Sequence, residues 1–325
     1  MRPITSVIPG LWRLHRAGRS ALLHWRQQDW IMKRFGSTDV HEGMLLDTQR
    51  CEAYRSAIRQ VVRPGDVVAD LGAGTGLLSF FAVEAGARRV YAIEMSSIAE
   101  VAARLIEANG FQDRITLVRR RSTRARLPER CDVILSETLS ILGFESEHTI
   151  AFMSDARERL LKPGGRVIPQ ECWTLMMPVQ SDQFGVGSLP GLLYGFDVSE
   201  LRRRRYRRQA LHLEVSGKRI VELADAVRRW HIDFRRESPV PSGEMFEFGT
   251  RREGRLDGFL GWFEATLCDG VVLSNSPRLP PTSWGQLYFP TLDQPVVHPG
   301  QRIRLHLDPG LIAGMPHWSY RVSVD

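Results

Sequence analysis

Cysteine is scarce in this chain, with four among 325 residues. Cys51, Cys131, Cys172 and Cys268 lie far apart and form no CxxC pair. That spacing excludes a disulfide framework and a paired-cysteine zinc site, so no metal is expected. It also fits a reducing compartment, so a cytoplasmic protein is expected. No apolar run approaches the roughly 18 residues that a membrane-spanning helix needs, so no transmembrane segment is expected. Acidic side chains are missing from residues 1–28, whose Arg2, Arg13, Arg16, Arg19 and Arg26 account for most of the +7 net charge. Leu11, Leu14, Ala17, Ala21, Leu22 and Trp25 recur there at helical spacing, which predicts an amphipathic helix packed on the protein. An organelle-import segment is the minority alternative. Hydrophobic residues at 43% and charged residues at 25% are those of an ordinary globular protein.

Residues 66–76 read Asp-Val-Val-Ala-Asp-Leu-Gly-Ala-Gly-Thr-Gly. Val67 to Leu71 is a short buried strand, and Gly72, Gly74 and Gly76 follow at alternate positions. Leu77 to Ala85 is then an apolar, helix-compatible run that Gly86 stops. A strand feeding a glycine turn into a helix brings backbone N–H groups up to a ligand. The dinucleotide fingerprint needs a further glycine three positions after its second, and position 77 is Leu. This argues against a nicotinamide or flavin site. The Asp-x-Gly-x-Gly-x-Gly form instead resembles the cofactor loop of class I methyltransferases that use S-adenosylmethionine (SAM).

At 325 residues, two domains are expected. Residues 41–170 alternate strands and helices, with strands at 90–93, 115–118, 132–135 and 166–169. Ser96 or Ser97 is expected to cap a helix running to Asn109, and a further helix is expected around 149–161. That order predicts an α/β fold with a mostly parallel sheet. From 171 to 325 short β-like segments at 211–215, 259–267, 285–289 and 302–307, separated by Pro and Gly, predict an all-β domain. Residues 1–40 are set apart as a basic, helical segment. Glu94, at the tip of the second strand and 18 residues after Gly76, is placed to accept both ribose hydroxyls of a nucleoside cofactor. The run Leu-Arg-Arg-Arg-Arg-Tyr-Arg-Arg at 201–208 has one interleaved aromatic and no nucleic-acid module around it, so it reads as a solvated surface rather than a nucleic-acid patch.

A longer likeness runs through the chain. His41-Glu42-Gly43-Met44-Leu45-Leu46-Asp47-Thr48-Gln49-Arg50 is similar to the segment that opens the catalytic core of protein arginine methyltransferases. The resemblance continues in Val68–Ser97, Ser136-Glu137, Phe144-Glu145-Ser146, Tyr194-Gly195-Phe196-Asp197, Gly261-Trp262-Phe263 and Pro281-Thr282-Ser283-Trp284. It covers about residues 30–323. The family implies a Rossmann-like SAM domain followed by a β-barrel, with a helical dimerisation arm at about 181–209 and hence a homodimer. By that resemblance Arg50 binds the SAM carboxylate, Asp70, Gly72 and Gly74 belong to the cofactor loop, and Glu94 holds the ribose. Glu137 and Glu145 fall where the family places its paired active-site glutamates.

Such a pair suits the chemistry. A guanidinium stays protonated to about pH 12 and is a poor nucleophile. Two carboxylates localise its charge and aim one nitrogen at a sulfonium methyl. The chain departs from the family in places. The Glu137–Glu145 loop is one residue shorter, so Glu147 is a candidate for the second carboxylate. Thr282-Ser283-Trp284 has serine where the family has histidine. The acid expected near the adenine falls at Thr123 or Arg124. The leading expectation is methyl transfer to protein arginine. The alternatives are a small-molecule amine or hydroxyl acceptor, and a catalytically weak adaptor on the same fold.

Overall fold

The structure is a computed structural model and describes residues 35–144, 148–183, 191–206, 210–215, 219–312 and 315–325. The expected N-terminal helix lies outside the described residues. Two helices come first, α1 (Thr38–Leu46) and α2 (Thr48–Val61). Asp47 separates them and caps α2, its side chain accepting the Arg50 N–H at 3.1 Å.

Five parallel strands follow with their helices: β1 (Val67–Leu71), α3 (Leu77–Glu84), β2 (Arg89–Ile93), α4 (Ala99–Ala108), β3 (Ile115–Val118), β4 (Cys131–Ser136), α5 (Thr149–Arg159) and β5 (Leu161–Ile168). Their order is β3-β2-β1-β4-β5. Every residue of β1 is buried, as a central strand covered on both faces requires. Chain order reverses beside β1, whose neighbours are β2 and β4, and the crevice at such a switch point is where α/β sheets bind ligands. The cap expected for α4 is corrected. Ile98 precedes the helix, and neither serine caps it. Ser96 and Ser97 hydroxyls donate instead to the Phe35 and Gly36 carbonyls at 3.2 and 3.3 Å, acceptors that local sequence does not reveal.

The second half is antiparallel. β6 (Glu171–Gln180) pairs along its length with Gly258–Cys268, and Gln286–Pro290 and Leu211–Leu213 extend the sheet beyond. With Val221–Glu222, Val227–Asp233 and Val271–Ser274 it holds seven strands. Glu244–Gly249, Arg302–Ile312 and Met315–Val324 form a second sheet of three. Aromatic side chains close the space between the sheets. Trp230 meets Phe246 at 5.4 Å, Phe248 meets Phe259 at 5.6 Å, and Phe289 meets Trp318 edge-on at 5.6 Å. The result is a barrel-like unit. Within the span expected for the arm, the described residues include a two-strand ribbon, Leu192–Leu193 with Phe196–Asp197, and the helix Ser199–Tyr206. Leu192, Tyr194, Phe196 and Leu201 are all exposed there, Tyr194 to 96%.

The loop after β4 is wedged between the halves. At Gly143, φ is +98° and a Cβ would meet Cys172 Sγ at 2.5 Å, so only glycine fits. Thr174 Oγ1 donates to the Leu142 carbonyl at 2.8 Å. Buried Asn275 accepts the Phe263 N–H at 2.8 Å and donates to the Ile141 and Gly285 carbonyls at 3.0 and 2.7 Å. Asn275→Ala strands these three backbone groups and is expected to cost about 2–4 kcal/mol. Chemical denaturation measures this directly, and a loss near zero would show that the loop is held by other contacts.

Candidate functional site

The glycine loop and three carboxylates meet at the C-terminal ends of β1, β2 and β4. Asp70, next to the last residue of β1, is 1% exposed and accepts the Ser79 hydroxyl on Oδ2 at 2.7 Å, while its Oδ1 has no partner among the described residues. Burial lifts its carboxyl to about pH 7 despite that hydrogen bond, with Glu94 and Glu137 adding to the rise. Gly72 turns out of the strand, donating to the Ile93 carbonyl at 2.9 Å. Gly74 has φ +56°, and a Cβ there would meet the His41 ring at 2.8 Å. Glu94 follows β2 and accepts the N–H groups of Gly74 at 3.0 Å and Ser96 at 2.7 Å, one on each oxygen. A carboxylate oxygen has two lone-pair sites, so one remains on each.

Across β1, Arg50 on α2 and Glu137 after β4 form a buried ion pair, 15% and 8% exposed. Glu137's carboxyl is raised by burial, while the Arg50 guanidinium and the Leu139 N–H pull it back. Arg50 Nη1 is buried with no acceptor among the described residues. Its guanidinium lies 5.6 Å from the Trp284 ring centroid. Trp284 Nε1 in turn donates to the Leu139 carbonyl at 2.7 Å. Asp47 accepts the Ser283 N–H at 2.7 Å as well as Arg50's, so a backbone amide meets that carboxylate at the Thr282-Ser283-Trp284 turn. Glu145 and Glu147 lie outside the described residues.

Thus Arg50, Asp70, Gly72, Gly74, Glu94 and Glu137 share one region. Three further residues belong to it without having been singled out. His41 lies over Gly74 and is held by the Phe35 carbonyl at 2.9 Å. Asp47 ties α2 to the second half. Tyr54 donates to the Ser136 carbonyl at 2.9 Å, fixing the strand end that bears Glu137. The Asp-Thr-x-Arg pattern signals the Asp47 cap, but its second bond spans 236 positions and leaves no local mark. Among the described residues no group of His, Cys, Asp and Glu is arranged to hold a metal.

The arrangement suits SAM. Arg50 Nη1 is an orphaned donor of the kind a carboxylate satisfies, and Asp70 Oδ1 and the free lone pairs of Glu94 are acceptors for ammonium and hydroxyl groups. Asp70's raised carboxyl also has a stability signature. Its neutral form stabilises the fold fully below about pH 4, and that contribution is lost as pH rises to about 7. Asp70→Asn is therefore expected to gain thermal stability relative to wild type between pH 4 and pH 8. A melting-temperature difference that ignores pH would contradict this.

The family model described as ribosomal protein L11 methyltransferase (PrmA) matches residues 48–169. The arginine methyltransferase oligomerization subdomain matches residues 181–309. The chain is 32% identical over 292 residues to arginine N(omega)-methyltransferase of Streptomyces achromogenes, covering 87% of this chain and 78% of that protein. It is 31% identical over 265 residues to protein arginine N-methyltransferase 1 of Saccharomyces cerevisiae, covering 77% and 75%. Among solved structures, the Trypanosoma brucei PRMT1 enzyme-prozyme heterotetrameric complex with AdoHcy superposes with a TM-score of 0.79 at 22% identity, covering 90% of this chain and 94% of that one. The two-part fold, the cofactor loop and these likenesses agree, and the chain belongs to the protein arginine N-methyltransferase family of SAM-dependent enzymes.

Proposed function

We propose that this enzyme transfers a methyl group from SAM to a guanidinium nitrogen of protein arginine, with Glu137 as the principal guanidinium ligand. The observation that carries the reading is the buried Arg50–Glu137 pair with its unmatched Nη1. One guanidinium faces two anions, Glu137 on one nitrogen and a cofactor carboxylate on the other. Asp70, Gly72 and Gly74 hold the loop against the cofactor, and Glu94 takes the ribose. When bound, SAM supplies the electrophilic methyl.

The protein's own residues supply orientation and charge. Arg50 and the Leu139 N–H favour Glu137's ionised form in a buried setting, leaving an acceptor face for a second guanidinium. Gripping it there turns one nitrogen toward the cofactor loop. That nitrogen gives up a proton as it takes the methyl, and a carboxylate or water receives it. Glu145 is the proposed second carboxylate. Residues 41–170 are assigned as the SAM domain and 171–325 as the substrate domain, in a cytoplasmic homodimer joined through the arm at about 181–209. Exposed Tyr194 and Phe196 support the arm's role, since large apolar side chains in one short ribbon mark a contact surface. Free arginine is the second reading, favoured by the name of the Streptomyces relative and its 87% coverage of this chain.

Labelled SAM offered with arginine-rich peptides or free arginine tests both readings. Wild type is expected to form methylarginine in peptide, and Glu137→Gln to lose about a hundredfold or more in turnover while SAM still raises its melting temperature. Label in free arginine alone would replace the protein acceptor, and an active Glu137→Gln would remove Glu137 from its role. Sedimentation tests the arm. Wild type is expected as a dimer and Tyr194→Ser/Phe196→Ser as a monomer, whereas a monomeric wild type would end the homodimer assignment.

A further inference from the structure

The connection from β3 to β4 is short and strongly basic. Residues 119–130 form one regular turn, Ser122–Arg124, so no helix of the connection covers this end of the sheet. They include Arg119, Arg120, Arg121, Arg124, Arg126 and Arg130 against a single acid, Glu129. Beside them opens a cleft of about 410 Å³, lined by Arg88, Arg89, Tyr91, Thr116, Arg126 and Glu129 among others. Glu129 is already engaged by Arg88 at 2.7 Å and by the Tyr91 hydroxyl at 3.3 Å. Arg89 reaches only Thr116 Oγ1, at 3.5 Å. The exposed Arg119, Arg120, Arg124 and Arg126 side chains have no hydrogen bond or ion pair among the described residues. Arg89 and Arg126 line the cleft, and Arg119, Arg120 and Arg124 belong to the same connection, so the surface there is predominantly cationic with room for a ligand.

We propose that this cleft docks an acidic segment of the protein acceptor, an assignment that rests on the protein-arginine reading above. Guanidinium forks match carboxylates two hydrogen bonds at a time. Single-stranded nucleic acid needs exposed aromatic faces for its bases, and the cleft's aromatic, Tyr91, is 5% exposed. The location suits an acceptor. Val118, at the near end of the cleft, accepts the N–H of Glu94 at 3.1 Å. Glu137 follows β4, three strand spacings or about 14 Å across the sheet from β3. Arg89 begins β2, so the cleft also runs back about 17 Å along the strand from Glu94. An extended chain advances about 3.4 Å per residue, so an acidic run roughly seven to ten residues from the target arginine spans the gap. The docked acids would also offset the repulsion between an arginine-rich acceptor and a basic enzyme.

Fluorescence anisotropy of a labelled polyglutamate peptide on the full chain, at low and physiological salt, tests the proposal without reading methyl transfer. A failure of arginine methylation therefore leaves the result interpretable. Arg89→Glu/Arg126→Glu is expected to weaken binding by about tenfold or more, while Arg203→Glu/Arg204→Glu on the arm leaves it unchanged. SAM-induced stabilisation reports that each variant is folded, and the milder Arg126→Gln, expected to weaken binding less, stands in if the double variant is not. Undiminished binding in the cleft variants, loss only in the arm variant, or no binding by wild type would overturn the proposal. So would a single-stranded oligonucleotide of similar charge that binds more tightly through the same arginines.

Discussion

The buried ion pair between Arg50 and Glu137 is the constraint around which the rest of the site is arranged. Taking both charges out of water costs several kcal/mol per ion, and their attraction repays this only when the remaining polar atoms are satisfied. The chain meets that demand from both halves. Asp47 fixes the first turn of α2 and so the direction in which Arg50 leaves it. Trp284 covers the guanidinium and anchors the Leu139 carbonyl, while the Leu139 N–H supports Glu137. Among the described residues of this pair, Arg50 Nη1 is the donor left over, open to a further anion.

This demand explains why the second half carries more than an accessory surface. The loop from Leu139 to Phe144 is held by Thr174 and Asn275 and can lie flush on β6 only because residue 143 is glycine. Asp47 takes an N–H from Ser283, more than two hundred residues away. A single core runs through both halves, from Tyr54 and Val68 to Phe263 and Phe289. Loosening the contact between halves would therefore free the Arg50 guanidinium from the pairing with Glu137 and from the Trp284 ring. Orientation at a reacting centre tolerates displacements of well under about 1 Å, so rigid coupling of this kind is part of the chemistry.

Local signals carried most of the fold. β1 to β4 lie within a residue or so of the expected strands, because short apolar runs ended by glycine or a charged residue leave few other readings. The glycine loop and the acid ending β2 were legible for the same reason. What sequence concealed is long-range. Ser96 and Ser97 look like caps until Phe35 and Gly36 offer their carbonyls. His41 belongs to the cofactor loop only because α1 lays its ring over Gly74, where the Phe35 carbonyl holds it. The ion pair between Arg50 and Glu137 joins elements far apart in sequence and leaves no local mark either. The resemblance to a family supplied the roles of Glu137 and Glu145, which no spacing within this chain dictates.

The distribution of charge bears on selectivity. Asp70 and Glu94 are buried and the Glu137 side chain is 8% exposed, whereas Arg119, Arg120, Arg124 and Arg126 in the β3–β4 connection are exposed. At a Debye length of about 8 Å in physiological salt, an approaching acceptor senses the exposed arginines before the buried acids. A uniformly cationic acceptor is thus repelled at long range and attracted only once its guanidinium is within reach of Glu137. The barrier falls for an acceptor whose own acids lie near the target arginine. On the proposed reading, then, Glu137 alone would not choose the acceptor. That choice would fall to the exposed arginines, which an approaching acceptor meets first.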